Sequence, residues 1–397
     1  MVERKKILIA QGGGPTVVIN QSLIGVIEEA YKINADVVGA YNGVNGIINS
    51  NFISLSKLTT KQRKLISNTP SAFLGSTRDK PDQSYCDEIF KVLKKKNVEK
   101  FFYIGGNDSS DSLRIISETA KKKDYKLQCI HIPKTIDNDL VLNDHTPGFG
   151  SAAKFVASAF SGINLDVKSL PGIYVGVVMG RHAGFLTASS CLLKKKNYDG
   201  PHLIYIPEVN FDTNIFLKDV NKIYQKLGRC VIAVSEGIKD KNNKLIANYM
   251  IENLEKDAHG NVQLSGTSCV GDFLVNEIKK KLKVKRVRSD TFGYLQRSFL
   301  GCNSEVDERE AKTLGKKAFI FSNSNNSSFS VSIKERKNLY LNYKVTFGIN
   351  KLKDVAAKTK LMPKNFINPK GNHVTDNFFR YAKPLIGKKI PEILTSF

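Results

Sequence analysis

The chain has 397 residues, 41 % apolar and 25 % charged, which suits two domains or one large α/β unit and excludes global disorder. Lys and Arg number 61 against 37 Asp and Glu, a net charge of +24. No run approaches the ~18 uninterrupted apolar residues of a membrane span, and the six cysteines are dispersed without a CxxC pair, which excludes a disulfide framework and a thiolate zinc site.

The apolar run at 7–10 follows basic residues, but it is too short for a signal peptide and flows into a glycine turn, as a buried first strand would. Secretion and membrane insertion are not expected, and the chain reads as cytoplasmic. Strands are predicted at residues 6–10, 36–41, 100–104, 128–132, 173–178, 202–207, 230–234 and 285–288. Amphipathic helices are predicted between them at 21–32, 84–96, 109–122, 151–163, 184–193, 214–227 and 267–282. Continuous apolar runs suit parallel strands buried on both faces. The alternation predicts an α/β fold of two Rossmann-like, doubly wound, mostly parallel sheets with helices on both faces, and an active site in the cleft between them. Residues 322–328, all Ser and Asn, read as a loop, and the end of the chain as a weaker helical tail. Lysine triplets at 94–96, 121–123, 194–196 and 279–281 fall near helix C-terminal ends, where cations complement the dipole. The positive charge thus reads first as a lysine-biased surface, with a nucleic-acid face or steering of anionic small molecules as competing readings.

Ligands of doubly wound sheets gather at the carboxyl ends of strands, so the residues after each apolar run carry the functional signal. The first run ends in Gln11, Gly12, Gly13, Gly14, Pro15 and Thr16, a glycine turn in which backbone N–H groups could approach an anion. A plain tight turn is the competing reading; neither a P-loop nor a GxGxxG pattern is present. The third run ends in Gly105, Gly106, Asn107, Asp108 and Ser109, and the fourth in Lys134, Thr135, Ile136, Asp137, Asn138 and Asp139. Two acids flanking an asparagine offer a general base and hard oxygen ligands for Mg²⁺, although each alone could form an Asx-turn or a helix cap. Further along come Met179, Gly180 and Arg181, then Glu236, then Gly293, Tyr294, Leu295, Gln296 and Arg297, with Arg78 and Arg288 as additional arginines suited to phosphate. Any single arginine could instead make a surface ion pair. Together the set supplies the parts of phosphoryl transfer to an alcohol.

These motifs resemble the 6-phosphofructokinase family: Gly-Gly-x-x-Ser, Thr-Ile-Asp-Asn-Asp, Met-Gly-Arg and Gly-Tyr-Leu-Gln-Arg occur in the family's order over residues 5 to about 310. The resemblance implies a phosphoryl-donor domain at 1–148 with a returning segment around 296–346, a sugar-phosphate domain at 149–295 and a C-terminal helical extension at 347–397. It implies that Asp137 takes the proton of the sugar 1-hydroxyl, with Thr135 and Asp139 beside it. Fructose 6-phosphate would be held by Thr135, Ile136, Asp137, Met179, Gly180, Arg181, Glu236, Arg288, Tyr294, Leu295, Gln296 and Arg297. Gly13, Gly14, Arg78, Gly106 and Lys134 would hold the donor, and Asn107 and Asp108 the Mg²⁺.

Asp108 and Lys134 resemble the pyrophosphate-dependent branch of the family. A carboxylate at 108 repels the α-phosphate of ATP, and a lysine at 134 offsets charge developing on pyrophosphate. The implied reaction is reversible, lies near equilibrium and serves glycolysis or gluconeogenesis, with fructose 6-phosphate and pyrophosphate as its small-molecule partners and no nucleic acid or membrane. Competing expectations are an ATP donor, sedoheptulose 7-phosphate as acceptor, a catalytically weakened relative or a non-catalytic basic binding protein. Asn107 stands where the ATP-dependent enzymes carry an aspartate. Gly172 falls at the family's intersubunit arginine, and Ile24 and Glu28 at the arginines of its effector site. The expected assembly is a homo-oligomer, a dimer rather than a tetramer, without effector control by nucleotide or phosphoenolpyruvate.

Overall fold

The apolar runs become central strands because both of their faces are covered. The computed structural model describes residues 6–250, 264–337 and 343–392. Its strands are β1 (Lys6–Gln11), β2 (Asp36–Ala40), β3 (Phe52–Ser54), β4 (Val98–Gly105), β5 (Gln128–Pro133), β6 (Ile173–Val178), β7 (Leu203–Tyr205), β8 (Cys230–Ser235), β9 (Val287–Thr291), β10 (Phe329–Lys337) and β11 (Lys344–Asn350). They form a seven-stranded sheet, β11-β10-β5-β4-β1-β2-β3, and a four-stranded sheet, β7-β8-β6-β9. The described chain divides into two units, one of residues 6–149, 297–337 and 343–359, the other of 150–250, 264–296 and 360–392.

In the first unit β10, β5, β4, β1 and β2 run parallel, with β11 and β3 antiparallel at the edges. Side chains alternate across the pleat. Ile7, Ile9, Phe102, Ile104, Ile130 and Ile132 face helices Ile19–Lys32 and Glu305–Ser324. Leu8, Ala10, Phe101, Tyr103 and Cys129 face helices Gln83–Lys95 and Asn107–Lys122. Each large apolar side chain buried here contributes about 1.5–3 kcal/mol, so the sheet is the rigid frame from which the loops at its carboxyl edge project.

The second unit repeats the plan with an all-parallel sheet. Ile173, Val175, Val177, Ile232 and Val234 pack with helices Thr213–Leu227 and Cys269–Leu282. Behind the sheet, Phe160 of helix Phe149–Ser169 lies so close to Gly176 that a Cβ there would come within 2.5 Å of its ring.

Several elements depart from the predicted pattern. Strand β9 covers 287–291 instead of 285–288, and residues 184–193 make only helix Phe185–Ala188 and a 3-10 turn at Ser189–Cys191. The hairpin β10–β11 and helices Thr60–Asn68 and Glu305–Ser324 are not among the predicted elements. The tail after 346 is shared: residues 347–350 complete β11, and 360–392 pack on the second unit, where Ile204 N donates to Asn372 O at 2.8 Å and Asn372 Nδ2 to Asp219 Oδ2 at 2.7 Å. Its longest α-helix is the seven-residue Asp376–Ala382. Among the described residues no helix is long and apolar enough to cross a membrane. Cys86, Cys129, Cys191, Cys230 and Cys269 are buried free thiols.

Candidate functional site

In the first unit three strand ends converge on one lysine. Lys134 follows β5, is 2 % exposed, and donates from Nζ to Gly12 O at 3.0 Å and to Gly14 O, both beyond β1. Burial pushes its pKa down to about 7; the Arg297 and Arg78 guanidiniums add to the depression, and Asp137 and Asp139 oppose it. Lys134 is therefore not the constant positive charge that the sequence reading assumed. In a dry site flanked by arginines it holds its proton only near neutrality and below.

The glycine turn also differs from its predicted role. Gly12 N donates to Ile104 O at 2.9 Å and Gly13 N to Thr77 O at 3.0 Å, so neither N–H is directed at an incoming anion. The glycines instead allow close approach. A Cβ on Gly12 would lie 2.4 Å from the Tyr103 hydroxyl, and one on Gly14 would lie 3.1 Å from Cζ of Arg297. Gly13, at φ +71°, has a conformation that favours glycine, and its carbonyl accepts from Ser76 Oγ at 2.6 Å. Ser76 and Tyr103 are missed by the sequence reading: a lone loop serine and a strand tyrosine carry no local signal.

Gly106 precedes helix Asn107–Lys122, whose first turn carries Asp108. Asn107 Nδ2 donates to Asp139 Oδ2 at 3.3 Å, whereas Asn107 Oδ1 is buried without a hydrogen-bond partner among the described residues. After Lys134 the chain turns through Thr135, whose Oγ1 accepts from Asp137 N at 3.1 Å. Asn138 adopts φ +59°, which Asn tolerates, and its Oδ1 accepts from Thr146 N at 3.1 Å. Asp137 and Asp139 are half-buried, while the Ile136 side chain is buried, leaving only its backbone for a ligand.

The second unit gathers another set at the carboxyl ends of β6 and β8. Glu236 N donates to Val178 O at 2.9 Å, and Ser265 Oγ donates to Glu236 Oε1 at 2.9 Å. Gly180, at φ +143°, puts its carbonyl where Ser235 Oγ donates to it. Arg181 is half-buried, and its Nε is buried without a hydrogen-bond partner among the described residues. Ser265 is a third residue that sequence reasoning missed, lying 29 positions from the acid it orients.

Two of the expected sugar-phosphate residues, Gln296 and Arg288, stand elsewhere than expected. Gln296 is 1 % exposed and uses both ends of its amide internally: Oε1 accepts from Met179 N at 3.3 Å and Nε2 donates to Gly293 O at 2.9 Å, so it braces Met179. Arg288 pairs in register with Tyr174, the second residue of β6, and therefore sits at the amino edge of the parallel sheet, opposite Met179 and Glu236. Arg297 belongs to the first unit, beside Gly14 and Lys134. Tyr294 and Leu295 are exposed.

A doubly wound pair of sheets with a lysine, arginines and carboxylates at strand carboxyl ends defines an α/β phosphotransferase. The phosphofructokinase family model matches residues 6–321, and the chain belongs to that family. It is 56 % identical over 389 residues, 98 % of this chain and 95 % of the relative, to a pyrophosphate–fructose 6-phosphate 1-phosphotransferase of Rhodospirillum rubrum. It is 35 % identical to the enzyme of the same name from Xanthomonas campestris, covering 97 % of this chain and 92 % of that one. Among solved structures, a pyrophosphate-dependent phosphofructokinase from Marinobacter aquaeolei superposes with a TM-score of 0.85 at 29 % identity, covering 98 % of this chain and 94 % of that one.

Proposed function

We propose that this chain transfers a phosphoryl group reversibly from pyrophosphate to the 1-hydroxyl of fructose 6-phosphate, giving fructose 1,6-bisphosphate and phosphate. The observation that carries the reading is the buried Lys134, held by the Gly12 and Gly14 carbonyls among Arg78, Arg297, Asp137 and Asp139. Asp137 acts as the general base that accepts the 1-hydroxyl proton as the oxygen attacks phosphorus. The bond from phosphorus to the bridging oxygen breaks, and the leaving phosphate carries away its charge against Lys134 and the arginines, with Gly13, Gly14 and Gly106 leaving room for it. Lys134 must be protonated for that task, and an arriving pyrophosphate favours the protonated form by its own charge. Asp108 disfavours a longer polyphosphate by like-charge repulsion.

Phosphotransferases of this family generally use a divalent metal. We propose magnesium, held by Asn107 and Asp108 with Asp139 nearby. The orphaned Asn107 oxygen fits a hard cation, and Mg²⁺ sites commonly use only one or two carboxylates beside substrate phosphates. When bound, the ion would offset charge on the transferring group.

On the acceptor side, Glu236, oriented by Ser265, accepts sugar hydroxyls, and Arg181, with Met179 and Gly180 beside it, holds phosphate. Tyr294 and Leu295 border this set. Arg288 can meet a sugar phosphate only from a second copy of the chain, which favours a homodimer. The five buried free thiols, Cys86, Cys129, Cys191, Cys230 and Cys269, favour a reducing, cytoplasmic setting.

A paired donor assay tests the reading: purified protein, fructose 6-phosphate and Mg²⁺, with pyrophosphate or ATP, following fructose 1,6-bisphosphate. Turnover with pyrophosphate and not ATP is expected. Turnover with ATP alone overturns the donor assignment, and silence with both overturns the function.

A further inference from the structure

The segment 135–148, which carries Asp137, is a closed loop: Thr135 bridges Gly148, and Thr146 Oγ1 donates to Thr135 O at 3.1 Å. Its far end is held by hydrogen bonds. Asp144 N donates to Ile333 O at 2.9 Å, Ile333 N to Asn143 Oδ1 at 3.3 Å, and Gly148 N to Asp307 Oδ1 at 2.9 Å. Between these points lies a buried charged cluster that the chemistry above does not use. His145, 2 % exposed, has Nδ1 at 2.8 Å from Asp144 Oδ1 and Nε2 at 2.6 Å from Glu310 Oε2; Arg336 Nε donates to Asp144 Oδ1 at 2.6 Å.

Ionised carboxylates only accept hydrogen bonds, so an imidazole between two of them donates from both nitrogens. We infer that His145 is a positioning residue for the reaction: as an imidazolium clamped between Asp144 and Glu310, it fixes the loop that presents Asp137. The inference rests on the reading of Asp137 as the base. Two cations, His145 and Arg336, pair with two anions, Asp144 and Glu310, so these four charges balance only while the imidazole keeps its proton. Among the described residues, Asp307, which takes the Gly148 N–H from helix Glu305–Ser324, and Tyr343, which faces Glu310 from just before β11, are the further titratable groups beside the loop. Asn138, whose side chain holds Thr146, passes the position of His145 to the residue next to Asp137.

The charge assignment also agrees with the electrostatics. Burial alone would lower the His145 pKa, but Glu310 and Asp144 outweigh it and hold the imidazole above its ordinary value. A raised pKa means that the stabilisation is complete below the unfolded value of about 6.5 and is lost as pH rises through the folded value. The loop therefore loosens on the alkaline side.

The test combines three measurements. In wild-type protein at pH 7.5 without substrate, ¹⁵N spectra should show both nitrogens of His145 protonated; one bare nitrogen overturns the inference. His145→Gln, which leaves two buried carboxylates facing one arginine, should lower Tm by roughly 6–15 °C. It should also lower kcat on the order of tenfold to a hundredfold with KM changed less than threefold. Adding Glu310→Gln restores neutrality and should recover most of kcat and remove the alkaline fall in activity. Unchanged kcat and an unchanged pH profile in His145→Gln overturn the inference, as does a double variant no better than the single one. If His145→Gln does not fold, Glu310→Gln alone must show a weakened alkaline limb, and a wild-type profile there counts against the proposal. The spectra and Tm need no substrate, so a failure of the phosphoryl-transfer reading, seen as absent turnover in wild type, is told apart from a failure of this one.

Discussion

Replacing Lys134 by methionine should make the protein more stable and far less active. A lysine with a folded pKa of about 7 against its ordinary 10.5 lowers folding stability at pH 7 by about 4 kcal/mol, because the unfolded chain keeps a proton that the fold tends to expel. Methionine removes that penalty. It also removes the donor to Gly12 O and Gly14 O, and leaving a buried acceptor unpaired costs about 1–3 kcal/mol. The net expectation is a gain of about 1–3 kcal/mol at pH 7. The sign with pH follows directly: between 7 and 10.5 the unfolded state binds more protons than the folded one, so wild type gains stability as pH rises. The advantage of Lys134→Met is therefore largest at or below pH 7, shrinks as pH rises, and is reversed above about pH 10.5, where only the cost of the unpaired acceptor remains. Losing a preorganised charge at the transition state should cost on the order of 10²–10³ in kcat. The chain has no tryptophan, so urea unfolding is followed by circular dichroism at several pH values beside pyrophosphate-dependent turnover. A destabilised variant, or a stability gap that does not close with pH, would refute the reasoning.

Asp137→Asn should lower kcat on the order of 10²–10⁴ while both KM values stay within a few-fold, because the side chain binds as before but no longer accepts a proton; a kcat within threefold of wild type would remove Asp137 from the role of base. Asp108→Gly combined with Lys134→Gly should raise turnover with ATP and depress it with pyrophosphate, and no gain with ATP counts against the donor argument. Above pH 7 the free enzyme holds Lys134 neutral, so pyrophosphate must bring a proton with it. Its KM should rise with pH, approaching tenfold per unit. The rise should be absent in Lys134→Met, which controls for titration of pyrophosphate itself; a rise shared equally by both proteins would sink the idea.

How much could be read from the sequence depended on how a strand is buried. β1, β4, β5, β6 and β8 are covered on both faces, so their apolar runs are continuous and legible. β9 is an edge strand in which Val287 is buried while Arg288 and Asp290 are exposed, a half-buried alternation that an apolar-run criterion ends too early. That small error spread to the site. With the strand ending at 288, Arg288 seemed to stand at a carboxyl end; with the strand running to Thr291, the same arginine stands at the amino edge. The hairpin β10–β11 escaped for a related reason, since the second half of β10 is charged and mostly exposed. The motifs themselves were legible because their chemistry is local. Thr135 to Asp139 lie in one turn, and Gly106 to Asp108 open one helix.

The environment of those motifs was not legible, because it is made by residues far apart in the chain. Nothing at position 134 says that a lysine there is buried, since its hydrogen-bond partners lie 120 and 122 residues away. The glycines looked like a nest for phosphate and instead hold the ammonium of Lys134. The net charge of +24 shows the same separation in reverse. Lys94, Lys95, Lys121, Lys122 and Lys279 to Lys281 do occupy the last turns of their helices. In a βαβ unit those helices run antiparallel to the strands, so their basic ends lie at the amino edge of their own sheet. Of the 61 basic residues, Lys134 is set apart by burial and by its repulsion from Arg297 and Arg78, which hold its pKa down to about 7.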